Sequence, residues 1–167
     1  MKRFSHVEFW TEPKFVLMLA VALGFAVRFQ FVFFREFPIN DGAFWYVFSK
    51  ALLEHDFRLP HDIRFNGELL PLCYPPLSAY LVATLSKVFS FDILSILRYL
   101  PLVLNLLGVL LFSLFCFTYF QDRLVAAFAS ISFPFFINSY RWFIMGGGVS
   151  RSLGLVFQLV AWLTVIN

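Results

Sequence analysis

Between Phe15 and Phe34 every position is apolar except Arg28 and Gln30, and no acidic residue interrupts the run. A stretch of this kind meets the roughly 20 residues that a bilayer core requires of a spanning helix. Further apolar runs follow from Ile93 to Phe120, from Leu124 towards Phe143, and from Leu153 to the last residue, Asn167. Hydrophobic residues make up 60% of the chain and charged residues 14%, against about 25% charged in ordinary soluble domains. A soluble fold of 167 residues has no interior large enough for that apolar surface. The pattern predicts an all-α polytopic membrane protein with spans at about 15–34, 96–120, 124–143 and 152–167. The last is expected to be cut off mid-helix, making the chain the N-terminal part of a longer one.

Met1, Lys2 and Arg3 open a polar segment that ends at Lys14. Arg28, Gln30 and large aromatics stand where a cleaved signal would carry small residues, so the first run reads as a retained span. The net charge of +3 is small and its positive residues are scattered, which argues against nucleic acid as a partner. Cys73 and Cys116 have no metal-ligand spacing and predict no disulfide framework.

From about residue 35 to residue 95 the pattern changes to a polar outer loop. Pro38, Asn40, Asp41, Gly42, Pro60, Asn66, Gly67, Pro71, Pro75 and Pro76 punctuate it. Phe44, Phe48 and Leu52 recur at helical spacing, with Ser49, Lys50, Glu54 and Asp56 on another face, predicting an amphipathic helix on the membrane surface. Residues 76–89 are apolar but too short for a full span, so a surface or re-entrant helix is expected. Two orientations follow. If 76–89 crosses, Lys87 and Arg98 join Lys2, Arg3 and Lys14 on the inner side. If it does not, Arg123 marks an inner turn, and the Gly146-Gly147-Gly148 segment shares the outer face with Asp41. Helix length favours the second arrangement and charge the first.

Asp41 is the leading candidate for chemistry. A carboxylate at a membrane boundary can take a proton from an acceptor hydroxyl or hold a divalent cation, and the competing reading is that Asn40 or Asp41 caps the following helix. Glu54, Asp56, Asp62 and Glu68 alternate with Lys50, Arg58 and Arg64 and predict a solvated face. His6, His55 and His61 show no metal-site spacing. Arg28, Arg98, Arg141 and Arg151 lie in apolar sequence, where a guanidinium needs a carboxylate, a phosphate, water or an outward path to the headgroups. The triple glycine precedes no Lys-Ser/Thr and is no nucleotide motif; a helix break near an anion and a flexible turn both fit it.

The order of these pieces resembles the membrane glycosyltransferases of the GT-C fold, among them protein O-mannosyltransferases, the aminoarabinose transferase and oligosaccharyltransferase catalytic subunits. The resemblance runs through Arg28, Pro38, Asn40-Asp41-Gly42 with its aromatics, the helix over Ser49 to Asp56, and Leu59-Pro60. It continues through Asn66-Gly67, Tyr74-Pro75-Pro76-Leu77, Arg98 and the basic turn at Arg123. It implies GT-C-like transmembrane helices with juxtamembrane helices in the first outer loop. It also implies transfer of a sugar from a polyprenyl-phosphate carrier to an acceptor on the outer face of the plasma membrane, or of the ER in a eukaryote. Asp41 would be catalytic base or metal ligand, and Arg98, Arg151, Arg28 and Tyr74 would hold the donor. The resemblance favours the second orientation. One departure stands out: Tyr140 to Ser152 contains no acid, where family members carry one or two. A non-catalytic scaffold or lipid-binding protein is therefore the alternative expectation.

Overall fold

A computed structural model describes residues 10–34, 36, 40–145 and 148–166. Expectations that involve Lys2, Arg3, His6, Pro38, Gly146, Gly147 or Asn167 lie outside the described residues. Helix α1 covers Pro13–Phe33 and begins on a proline, which suits a first-turn position where no N–H partner exists. Its buried residues are Val16, Ala20, Gly24, Arg28 and Val32, a stripe of every fourth residue. That stripe packs against α4, Ile93–Tyr119. Gly24 permits a close approach, since a Cβ there would stand 3.3 Å from the Leu106 side chain and 3.4 Å from that of Val109.

Helix α5, Arg123–Ser132, returns along α4, and α7, Gly148–Ile166, runs beside α4 in the same direction. Gly108 faces Leu155, and the rings of Phe115 and Trp162 lie 5.5 Å apart. Three helices, α1, α4 and α7, are long and apolar enough to cross a membrane, with 21, 27 and 19 residues.

The stretch read as a span over 124–143 is not one helix. Helix α5 stops at Ser132, two 3-10 turns occupy Phe133–Phe135 and Ile137–Ser139, and the short α6 covers Arg141–Ile144. Pro134 explains the break, because it has no N–H for the helical ladder. The segment nevertheless travels the length of its neighbour. Phe133 stacks on Phe112 at 4.0 Å, and further along Ile144 joins Val32 and Leu102 in a buried cluster.

The loop between α1 and α4 is a packed unit. It holds α2 (Gly42–Glu54), strands β1 (Asp62–Phe65) and β2 (Glu68–Pro71), and α3 (Leu77–Phe89). The expectation of an all-α chain thus needs correction by one antiparallel hairpin. Asn66 and Gly67 turn it with φ of 52° and 87°, the two positive angles of a type I′ turn.

The apolar face of α2 also departs from expectation, because it faces protein. Trp45, Phe48 and Leu52 are buried with Ile63, Ala79, Val82, Ala83, Ile96, Leu97 and Val149. Ala79 and Ala83 give α3 a small-residue face on which α2 can sit. Burying Phe48 or Leu52 completely stabilises the unit by about 1.5–3 kcal/mol each relative to exposure.

Candidate functional site

Three aspartates stand immediately before helices, and they behave differently. Asp92 caps α4 by accepting from Ser95 N at 3.0 Å, and Asp122 caps α5 by accepting from Leu124 N at 2.8 Å. Asp41 precedes α2, yet its side chain makes no capping hydrogen bond. Its backbone carbonyl accepts from Trp45 N at 3.2 Å, so the main chain starts the helix, while the exposed residue's carboxylate takes no hydrogen bond from the described residues. Asn40, before it, adopts φ of 66°.

The aromatics that follow Asp41 form a wall. Phe44 meets Tyr74 at 5.0 Å and Phe65 at 5.7 Å, and Trp45 meets Tyr74 at 6.2 Å. Tyr74 is largely exposed. The loop unit touches the start of α7 as well: Val149 enters the cluster of Trp45 and Phe48, and the Ser78 and Ser150 hydroxyls lie 2.6 Å apart. The α2–α3 unit and the α6–α7 junction therefore occupy the same end of the bundle.

Arg151 lies in the first turns of α7. Its Nη1 donates to the Trp142 carbonyl at 3.1 Å, and its guanidinium sits 5.4 Å from the Trp142 ring centroid. With Asn138, Trp142 and Gln158 it lines an open groove of about 570 Å³. Exposed, with donors to spare, Arg151 can engage an anion.

Arg98 is differently engaged. Its Nε donates to the Val32 carbonyl at 2.8 Å and Nη2 to the Phe33 carbonyl at 3.1 Å, which satisfies acceptors that the end of α1 leaves open. A cation there also complements the negative end of the helix dipole. Arg98 thus ties α4 to α1, and only part of its fork remains for any ligand.

Arg28 does not snorkel outward; it is fully buried. Nε donates to Asn105 Oδ1, Nη1 to the carbonyls of Gly24 at 3.1 Å and Pro134 at 3.2 Å, and Nη2 to Ser139 Oγ at 3.2 Å. Tyr140 covers it, with the ring centroid 4.9 Å away. Among the described residues no carboxylate pairs with it. The reason for the inward turn is the broken segment beside it, whose Pro134 carbonyl faces the bundle without a helical partner. Asn105 was absent from the sequence candidates, although a lone Asn in the apolar run after Leu102 is a visible signal.

The other acids behave as a solvated surface. Lys50 and Glu54 form an exposed i,i+4 pair at 3.7 Å, which contributes little. Asp62 accepts from His61 Nδ1 at 2.9 Å and raises the imidazole pKa above its usual value. Among the described residues no three His, Cys, Asp or Glu side chains gather. Among the described residues no second carboxylate, His or Cys joins Asp41 in such a group, so the ligand set that the family resemblance implies is not assembled by the described side chains. Comparison with protein-family models, curated proteins and solved structures finds no match for this chain.

Proposed function

We propose that the chain is embedded in a membrane as a multi-pass protein and acts as a glycosyltransferase that uses a polyprenyl-phosphate-linked sugar. The observation that carries the catalytic assignment is the contrast among the three aspartates. Asp92 and Asp122 cap helices, whereas the Asp41 carboxylate caps none and stands exposed beside an aromatic wall.

In this reading Asp41 takes the proton of an acceptor hydroxyl, and the acceptor oxygen bonds to the anomeric carbon of the sugar. The bond from that carbon to the carrier phosphate oxygen breaks, and its electron pair leaves with the polyprenyl phosphate. Arg151 stabilises the charge on that leaving group. The exposed Tyr74 ring offers an apolar face to a sugar, with Phe44 packed against it. Arg28 and Arg98 act at a distance by holding helices in place, and no step is routed through a metal.

The test is Asp41→Asn in membranes supplied with polyprenyl-phosphate sugar. Loss of a general base lowers the rate about 10²–10⁴-fold while insertion is unchanged. Transfer at the parent rate would sink the assignment.

A second reading, a lipid-binding scaffold without catalysis, is favoured by the acid-free stretch from Tyr140 to Ser152 and by the engagement of Arg98 with α1. It predicts that binding of polyprenyl-phosphate sugar is indifferent to Asp41→Asn.

A further inference from the structure

Between α3 and α4 lies a groove of about 480 Å³ whose lining includes none of Asp41, Phe44, Tyr74 and Arg151. Phe89, Tyr99 and Val103 line its apolar length, and Ser90, Asp92 and Ser95 line its polar part. From Asp92 to Val103 the groove extends about 16 Å along the α4 axis at 1.5 Å per residue. Its level relative to α1 is fixed by two contacts: Arg98 reaches the Phe33 carbonyl, and the Phe33 and Tyr99 rings lie 5.8 Å apart. Tyr99 therefore stands level with the end of α1, Asp92 lies beyond that level, and Val103 lies one turn within it. Aromatic residues favour such a boundary.

Charge narrows the occupant. Among the described residues Asp92 is the one charged side chain that lines the groove. Its Oδ2 accepts from Ser95 N at 3.0 Å and Ser95 Oγ at 3.3 Å, while Oδ1 takes no donor from the described residues. Neighbouring cations are engaged elsewhere: Lys87 lies over the Phe57 ring at 5.7 Å, and Arg98 holds the end of α1. A free carboxylate oxygen beside two hydroxyls attracts a positively charged hydrogen-bond donor and repels an anionic headgroup. In the same groove Phe89 and Val103 are 57% and 60% exposed, an apolar surface suited to an acyl chain.

We infer that this groove binds a membrane phospholipid with a primary ammonium headgroup, its ammonium on Asp92 and its acyl chain along Phe89, Tyr99 and Val103. The inference rests on the membrane embedding proposed above and is independent of the sugar chemistry.

Alkaline carbonate extraction of membranes tests the embedding first; release of the chain would overturn both. The retained protein is then purified from equal mixtures of phosphatidylethanolamine, phosphatidylcholine and phosphatidylglycerol, and bound lipid is counted by native mass spectrometry. Phosphatidylethanolamine should be retained about tenfold over the other two, the ratio that a single charge-assisted hydrogen bond supports. Asp92→Asn keeps an amide oxygen for the cap and should bring the three lipids to parity without moving the melting temperature. Val103→Trp, which fills the groove, should lower retention of all three. Phosphatidylcholine or phosphatidylglycerol held as tightly as phosphatidylethanolamine, or an unchanged preference in Asp92→Asn, overturns the inference while leaving the embedding intact.

Discussion

Asn105 Nδ2 donates to the Ser139 carbonyl at 3.0 Å, while Asn105 Oδ1 accepts from Arg28. One amide side chain thus holds a break in the third segment of the bundle from one side, and the guanidinium holds it from the other. Backbone outside a helix is tolerated at membrane depth only where protein or water satisfies it. Arg28 and Asn105 supply that satisfaction at Pro134 and Ser139.

Removing either member should therefore unfold the bundle's middle. Arg28→Met leaves the Pro134 carbonyl and Asn105 Oδ1 without their donor, and Asn105→Leu leaves a buried guanidinium short of an acceptor. Each should cost about 1–3 kcal/mol for every buried polar group left without a partner. Arg28→Lys should rescue little, because an ammonium lacks the planar fork. Equilibrium unfolding in mixed micelles checks all three, and wild-type stability in Arg28→Met would refute the role.

Gly148 should be nearly irreplaceable. A Cβ there would overlap the Phe143 carbonyl and stand 3.3 Å from Pro101 Cβ. Backbone, not a flexible side-chain end, is in the way, so Gly148→Ala should destabilise by about 1–3 kcal/mol. Gly154, whose Cβ would meet nothing within 4 Å, is the control. Thermal unfolding of the two alanine variants separates them.

Cysteines introduced at Asp41 and Arg151 should react with a membrane-impermeant thiol reagent from the same side, and one at Arg123 from the opposite side. The Val149 and Ser150 contacts to the loop unit require the first result, and the course of α4 requires the second. Native Cys73, which is exposed, is first replaced by Ser. Labelling of positions 41 and 151 from opposite sides would dismantle the shared end of the bundle.

The His61–Asp62 contact should give the hairpin a small pH dependence. The hydrogen bond to Asp62 raises the folded-state pKa above the ordinary imidazole value of 6.5. The sign follows from linkage: the contribution is complete below about 6.5 and disappears as pH rises through the higher folded value. An NMR titration of the imidazole should show the raised midpoint, and Asp62→Asn should return it towards 6.5.

How much of this was legible in the sequence depended on whether the deciding interaction was local. The apolar run from Phe15 and the short run after Pro76 became α1 and α3 nearly at their expected limits, because length and flanking prolines act through the chain itself. The periodicity of Phe44, Phe48 and Leu52 foretold a helix but not its neighbour. Whether such a face meets lipid or protein is set by Ala79 and Ala83, more than twenty-five residues away. Asn66-Gly67 between short apolar runs is a hairpin signal legible in the sequence itself.

For the site, Asp41's position could be read from its neighbours, and its freedom from capping could not. Asp92 and Asp122 have the same local appearance and do cap. The cost of Arg28 in apolar sequence is legible, but its partners are not, since residues 105, 134 and 139 are brought close only by tertiary packing. Of the glycines between Tyr140 and Ser152, Gly146 and Gly147 lie outside the described residues and Gly148 opens α7; an earlier break, at Pro134, is the one that Arg28 holds.

In the membrane embedding proposed above, that break bears on how the chain enters the bilayer. A ten-residue helix followed by turns has too little continuous hydrogen bonding to rest in lipid alone. It needs Arg28 and Asn105 waiting for it, and both lie on helices synthesised before residue 123. Vectorial synthesis therefore supplies the dock before the piece that must dock. A permuted chain that presented residues 123–145 first would expose those carbonyls to hydrocarbon and should be held back at the insertion machinery or degraded there.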